Sequence, residues 1–183
     1  RLVDLYDASV RLLDDRVSEL LAMLRARGRY DGSTIAIVGD HGQGLGQHGD
    51  PGHGRVWGEQ LHVPFLLKPA GHEVAADATP TSFPADAGWR GTVVDALVST
   101  LDVLPTAARA TPGFDAAPFL AQARGLDVLA EGFTARPLFA LAARQRRIAP
   151  ADAVLTERFQ FVRGDEGERL FDLESDQLEL QDA

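Results

Sequence analysis

Apolar side chains recur at Leu2, Leu5, Tyr6, Val10, Leu13, Val17, Leu20, Leu21 and Leu24, the i, i+3, i+4, i+7 rhythm of one helical face. Asp4, Asp7, Arg11, Asp14, Glu19 and Arg25 fill the other face, so residues 2–24 are expected to form an amphipathic helix that covers a sheet. Gly28 stands where a C-terminal cap belongs, and the acid-first, base-last order suits the helix dipole. Tyr30-Asp-Gly-Ser is turn chemistry. The run 34–39 that follows is short, apolar and rich in β-branched residues, the pattern of a strand buried on both faces of a parallel sheet. A long helix feeding directly into such a strand is half of a βαβ unit, which predicts an α/β fold.

The stretch 42–58 is a long glycine-rich loop, a kind of segment that often carries function. Residues 62–67 read as another strand, with Pro64 marking an edge or a bulge. A proline- and alanine-rich excursion over the surface is expected at 68–91, a further strand at 91–97, and a helix at 99–110 that contains Pro105. The connector 112–125 has room for a short helix at 117–123. Beyond it the texture changes. The pieces 126–133, 153–162 and 169–173 are strand-like and separated by polar turns, which suggests a small antiparallel sheet. The expected organisation is therefore an α/β core at 1–125 and a small subdomain at 126–183.

Composition narrows the partners. The chain has 183 residues, 25% of them charged, and a formal net charge of −9. An acidic balance argues against nucleic acid, which wants clustered Lys and Arg, so any anion site must be local. There is no cysteine, which excludes disulfides, cysteine metal sites and thiol catalysis and leaves the compartment open. No apolar run is long enough to span a membrane. The chain starts at Arg1-Leu-Val-Asp-Leu-Tyr, within a helical pattern and without an initiating Met, and is expected to be the C-terminal part of something longer.

The candidate chemistry sits at the carboxyl end of the strand at 34–39, where ligands bind in open α/β sheets. Asp40 and His41 lie there, and Gly39 and Gly42 allow both side chains to reach one pocket. Asp40 offers a hard oxygen to Ca²⁺, Mg²⁺ or Mn²⁺, and His41 offers nitrogen to a metal or an anion. The alternative is a solvated turn carboxylate beside a capping histidine. His48 and His53 follow on the same loop, but their spacing with His41 fits no standard zinc pattern. His48 serves equally well to hold the loop by a hydrogen bond. His53, flanked by Gly52 and Gly54, has more freedom to approach a substrate. His62 and His72 are read as structural or solvated, and Arg144, Arg146 and Arg147 as a solvated basic face, with phosphate binding as the alternative. No serine occupies a nucleophile elbow.

These strings together resemble a known family. Tyr6-Asp-Ala, Leu13-Asp14, Leu20-Leu21, Gly28, Thr34-Ile-Ala-Ile-Val-Gly-Asp40-His41-Gly, Leu45-Gly-Gln-His48-Gly, His53-Gly and Val63-Pro64-Phe65 follow one another as in the sulfatases of the alkaline phosphatase superfamily. Leu97-Val-Ser-Thr-Leu-Asp102-Val-Leu-Pro105-Thr106, Ala153-Val-Leu-Thr-Glu-Arg-Phe-Gln-Phe-Val and Leu170-Phe-Asp-Leu-Glu-Ser-Asp continue the succession to the end. The resemblance implies a mixed sheet flanked by helices, followed by a small four-stranded sheet. It implies that Asp40 is a carboxylate ligand of a catalytic divalent cation, calcium first, with Mg²⁺, Mn²⁺ or Zn²⁺ as alternatives. It places His41 beside that metal and the nucleophile, His53 on the sulfate or phosphate group, and His48 in a structural role.

The chain also departs from the family pattern. The family's formylglycine nucleophile arises from a Cys/Ser-x-Pro-x-Arg motif. The nearest string, Ser82-Phe-Pro-Ala-Asp, puts Asp86 where Arg is needed. That motif and the family's N-terminal Asp-Asp metal pair are expected upstream of Arg1. Gln43 replaces a common Glu, and His62 stands where Arg is usual. The implied function is the C-terminal part of a metal-dependent sulfatase-like hydrolase acting on a small sulfate ester, with the upstream half of the same protein as partner. The alternatives are phosphoryl chemistry of the same superfamily (a phosphodiesterase, phosphonate hydrolase or phosphoethanolamine transferase) and a non-catalytic remnant.

Overall fold

The computed structural model describes residues 1–49, 51–71, 93–143, 149–165 and 167–183. The first element, α1 (Leu2–Ala26), follows the predicted period. It ends in the expected glycine cap. Gly28 adopts φ 61°, its N–H donates to the Arg25 carbonyl, and the Arg29 N–H donates to that of Leu24. These bonds satisfy carbonyls that the helix end would otherwise leave bare. The expected cover over a sheet is a correction. Val17, Leu21 and Leu24 are half-buried, but Leu5 and Leu13 remain 68% and 63% exposed. The reason is length: α1 has 25 residues, or about 37 Å. The four-residue strands beyond it cover only about 13 Å.

The strand β1 (Ile35–Val38) forms where expected. The loop after it holds a tight hairpin, β2 (Gly44–Leu45) with β3 (Pro51–Gly52), and one helical turn, α2 (Gly58–Leu61). The strand β4 (Phe65–Lys68) then returns antiparallel beside β1, with Ile35 opposite Lys68 and Val38 opposite Phe65. This corrects the expectation of a parallel neighbour and of burial on both faces, since Ile37 and Val38 are exposed. An apolar run specifies covered faces; it says nothing of the direction of its neighbours. The Lys68 ammonium anchors the turn before β1, donating to the carbonyls of Tyr30 at 2.9 Å and Ser33 at 3.0 Å.

The expected excursion falls largely outside the described residues, as do His72, Ser82, Arg144, Arg146 and Arg147. The described part of the expected strand at 91–97 is irregular chain, not strand. A 3-10 turn (Thr100–Asp102) then leads into α3 (Val103–Arg109). Pro105 lies in the first turn of α3, where no intrahelical N–H is required. The connector contains α4 (Ala117–Leu120). No helix among the described residues is long and apolar enough to cross a membrane.

The expected strand at 126–133 does not form. The Leu126 N–H donates to Asp102 Oδ1 at 2.7 Å and the Val128 N–H to Thr106 Oγ1 at 3.1 Å. Side chains thus take the donors that a ladder would need. The sheet begins instead at β5 (Leu138–Ala142) and continues through β6 (Ala151–Leu155), β7 (Phe159–Gly164) and β8 (Gly167–Asp172), each antiparallel to the last. The expected piece 153–162 is split by a turn in which the Thr156 N–H donates to the Phe159 carbonyl at 2.8 Å. The inner face contributes one buried apolar residue per strand: Ala142, Ala153, Val162 and Phe171. Val56, from the loop before α2, completes this core.

Contacts cross residue 125 through Asp102, which is fully buried. Its carboxylate accepts the N–H groups of Ser99 and Leu126 and a forked pair from Arg136, the shorter at 2.7 Å. Burial pushes the Asp102 carboxyl upward. The Arg136 hydrogen bonds and the two amides outweigh it and hold the group below the usual carboxylate range. Stability from a depressed carboxyl is present above the unfolded pKa and lost as pH falls through the folded one. In the full-length protein, Asp102→Asn is therefore expected to cost about 3 kcal/mol in urea denaturation, because Arg136 loses its buried partner. It should also flatten the acid limb of the stability profile; an unaltered limb would count against this account.

Candidate active site

The site starts where β1 stops. The Gly39 N–H still donates to the Pro64 carbonyl at 3.0 Å, and a Cβ at Gly39 would press on Val63 at 3.0 Å. The chain then turns. Asp40 Oδ1 accepts the His41 N–H at 2.9 Å, which leaves the carboxylate 91% exposed. Gly42 lies flat against α2, its N–H donating to the Gln60 carbonyl at 2.8 Å. A Cβ there would collide with the Glu59 carbonyl, so only glycine allows the approach.

His41 and His53 meet face to face, with ring centroids 4.2 Å apart and planes inclined by 22°. His41 Nδ1 lies 2.8 Å from the Gly42 carbonyl. A carbonyl can only accept, so Nδ1 carries the proton and the neutral ring presents a bare Nε2. That nitrogen is 3.8 Å from Asp40 Oδ2. Asp40, His41 and His53 line one open cavity of about 300 Å³, together with Arg55, Thr100 and Leu141. The structure thus brings the three predicted residues to one place. Arg55, Thr100 and Leu141 were not foreseen. Arg55 left one local signal, a cation two positions after His53 in a glycine-rich loop. The other two come from distant segments.

His48 belongs elsewhere. Its Nδ1 is 3.0 Å from Glu59 Oε1 and its Nε2 is 3.3 Å from the Glu179 carbonyl, and its ring stacks on Trp57 at 4.3 Å. Both ring nitrogens face acceptors, which favours the doubly protonated ring. Burial disfavours that charge, but the Glu59 hydrogen bond and charge, with Glu179 behind them, raise the His48 pKa above its ordinary value. His48 therefore fixes the loop.

Among the described residues no three His, Asp or Glu side chains cluster as a cation cage. The donors present fit part of one. Asp40 supplies one accessible carboxylate, and His41 Nε2 points to the same space at a separation one ion could bridge. Hard cations want several more oxygens.

The family model for sulfatases matches residues 1–114, and the chain belongs to that family. It is 26% identical over 184 residues to choline-sulfatase of Rhizobium meliloti (strain 1021), covering 96% of this chain and 31% of that protein. It is 26% identical over 130 residues to the multifunctional alkaline phosphatase superfamily protein PehA of Trinickia caryophylli, covering 67% of this chain and 23% of PehA. The chain thus spans less than a third of the length of these curated relatives. The structure of BT1596, a 2-O GAG sulfatase, superposes with a TM-score of 0.66 at 22% identity, covering 93% of this chain and 35% of that one. The fold is that of the sulfatase structures.

Stability from a histidine whose folded pKa is raised is fully present below the unfolded pKa and is lost as pH rises through the folded one. Glu179, whose carboxyl is also raised, adds a loss of the same sign at lower pH. In the full-length protein, His48→Gln should flatten the decline in melting temperature as pH rises from about 6.5. An identical decline in the variant would show that His48 does not carry the linkage.

Proposed function

We propose that this chain is the C-terminal part of a metal-dependent sulfuric ester hydrolase. The convergence of Asp40, His41 and His53 on one cavity at the end of β1, in a chain of the sulfatase family, carries the proposal. Asp40 and His41 Nε2 would hold one side of a divalent cation, with calcium favoured by the hard carboxylate. When bound, the cation supplies Lewis-acid neutralisation of charge on the transferring group. The remaining ligands and the formylglycine nucleophile would come from polypeptide upstream of Arg1. That polypeptide would also cover α1 and β1, completing the mixed sheet of the alkaline phosphatase superfamily.

His53 and Arg55 bind the sulfate oxygens in this scheme. His53 also delivers a proton to the leaving oxygen, since an imidazole can serve as a general acid. The His41 ring backs His53 and restricts its tilt. Phosphoryl transfer is the second reading, favoured by the likeness to PehA, described as a multifunctional member of that superfamily. Sulfate and phosphate are nearly isosteric, so the residues lining this half of the cavity would serve either.

In the full-length protein, Asp40→Ala should remove the bound metal and lower turnover of 4-nitrophenyl sulfate by about 10²–10³-fold. Retained metal and activity would sink the assignment of Asp40. The 183-residue chain alone should hydrolyse neither 4-nitrophenyl sulfate nor 4-nitrophenyl phosphate, and turnover by it would show that the site is complete within these residues.

A further inference from the structure

Glu179 is a buried charged residue for which the proposed chemistry has no use. It is 4% exposed, and among the described residues it is the non-glycine residue with positive φ, at 55°. L-residues rarely hold that conformation without contacts that fix it. Both Glu179 carboxylate oxygens accept the Gly58 N–H, at 3.0 and 3.1 Å. A Cβ at Gly58 would come within 2.6 Å of Oε1. The absence of a side chain at 58 therefore makes the niche that a carboxylate from the far end of the chain occupies. The Glu179 carbonyl meanwhile accepts from His48 Nε2 at 3.3 Å.

We propose that Glu179 is a positioning residue for the site: seated in the Gly58 niche, it fastens the C-terminal tail to both ends of the loop that presents His53. His53 lies midway between the two attachment points, His48 and Gly58. Each attachment is reinforced. His48 is sandwiched between the Glu179 carbonyl, Glu59 and the Trp57 ring, and Trp57 packs edge-on against Phe171 of β8 at 5.9 Å. Arg55, between His53 and Gly58, is tied by its N–H to Gln60 Oε1 at 2.7 Å. These ties bound the loop on both sides of His53 and limit how far it can carry that side chain. The ionisable groups that face the fastening are His48 from the loop, Glu59 from α2 and Asp176 from the tail. Burial, with Glu59 and Asp176, outweighs the Gly58 N–H and His48 and keeps the Glu179 carboxyl above the usual range. The inference rests on the reading of His53 as an anion-site residue.

The test uses the full-length protein and 4-nitrophenyl sulfate. Glu179→Ala should lower kcat/KM by roughly tenfold to a hundredfold, the scale of loss when a positioned group shifts by about an ångström. Gly58→Ala, which closes the niche, should reproduce that loss, and the double variant should fall no further, because the two changes break one interaction. Glu179→Gln should recover most of the activity, since its amide oxygen can accept the same N–H. A spectroscopic readout stands apart from catalysis. In a background where every other tryptophan of the full-length protein, Trp89 included, is replaced by Phe, Trp57 emission should titrate with the His48 ring stacked on it, and Glu179→Gln should move the midpoint to lower pH. An unchanged kcat/KM in folded Glu179→Ala, additive losses in the double variant, or an unmoved midpoint would each overturn the proposal. If Glu179→Ala does not fold, the Trp57 titration of Glu179→Gln decides alone. Full activity of His53→Ala would instead sink the anion-site reading, while the Trp57 titration still reports whether the tail is fastened.

Discussion

Val56 leaves 2% of its surface to solvent, and its four buried companions come one from each strand of the C-terminal sheet. Its carbonyl accepts a hydrogen bond from Gln160 Nε2 of β7 at 2.9 Å. A few residues on, the carbonyls of Glu59 and Gln60 receive the N–H groups of Gln43 and Gly42. One short segment is thus pinned to the sheet on one side and to the Asp40–His41 turn on the other. Burying Val56 is worth about 1.5–3 kcal/mol and each such hydrogen bond about 1 kcal/mol net. The sum exceeds the thermal energy that would let the turn drift. The position of the cavity is therefore set by packing that lies a hundred residues downstream of β1.

The C-terminal sheet acts as a scaffold for this reason. Its inner face is spent on the loop, while its outer face carries Phe139 and Leu141 on the edge strand β5, both strongly exposed. The N-terminal elements show the opposite economy. Along α1, β1 and β4, apolar side chains such as Leu13, Val38 and Leu66 face solvent. Folded proteins seldom leave large continuous apolar patches bare. In the proposed assembly these faces are the internal surfaces of a larger α/β core.

The sequence made local features legible and left long-range ones hidden. The 3.6-residue period fixed α1, Gly28 fixed its end, and the β-branched run located β1 and hence Asp40, His41 and His53. Each depends on neighbours in the chain. The strand expected at 126–133 failed because Asp102 and Thr106 capture its amides, a competition no periodicity encodes. The real first strand, β5, was obscured because Phe139 and Leu141 are apolar on its exposed face, which erases the alternation. The single turn of α2 was missed because tertiary contacts hold it: four residues lie below any length that forms a helix unaided. Glu179 has no signal in its own neighbourhood. Its role becomes visible only when Gly58 lies next to it.

Electrostatics joins these layers. A chain of net charge −9 repels an anionic ester at long range, so capture depends on charge placed within the cavity. In the proposed scheme Arg55 and His53 supply that placement from one side, and Asp40 offers the opposite charge to a cation. A carboxylate as open to water as that of Asp40 gains little by binding an ion alone, because water competes on equal terms. Its contribution grows once further oxygens converge and exclude solvent. The same enclosure would strengthen the hold of Arg55 and His53 on the ester, since their attraction rises as the local dielectric falls. In the proposed scheme cation affinity and anion affinity would be coupled through the closing of one cavity. The loop carrying His53 is anchored by Val56 outside the cavity, in the core it shares with the C-terminal sheet, so its placement does not depend on what the cavity holds.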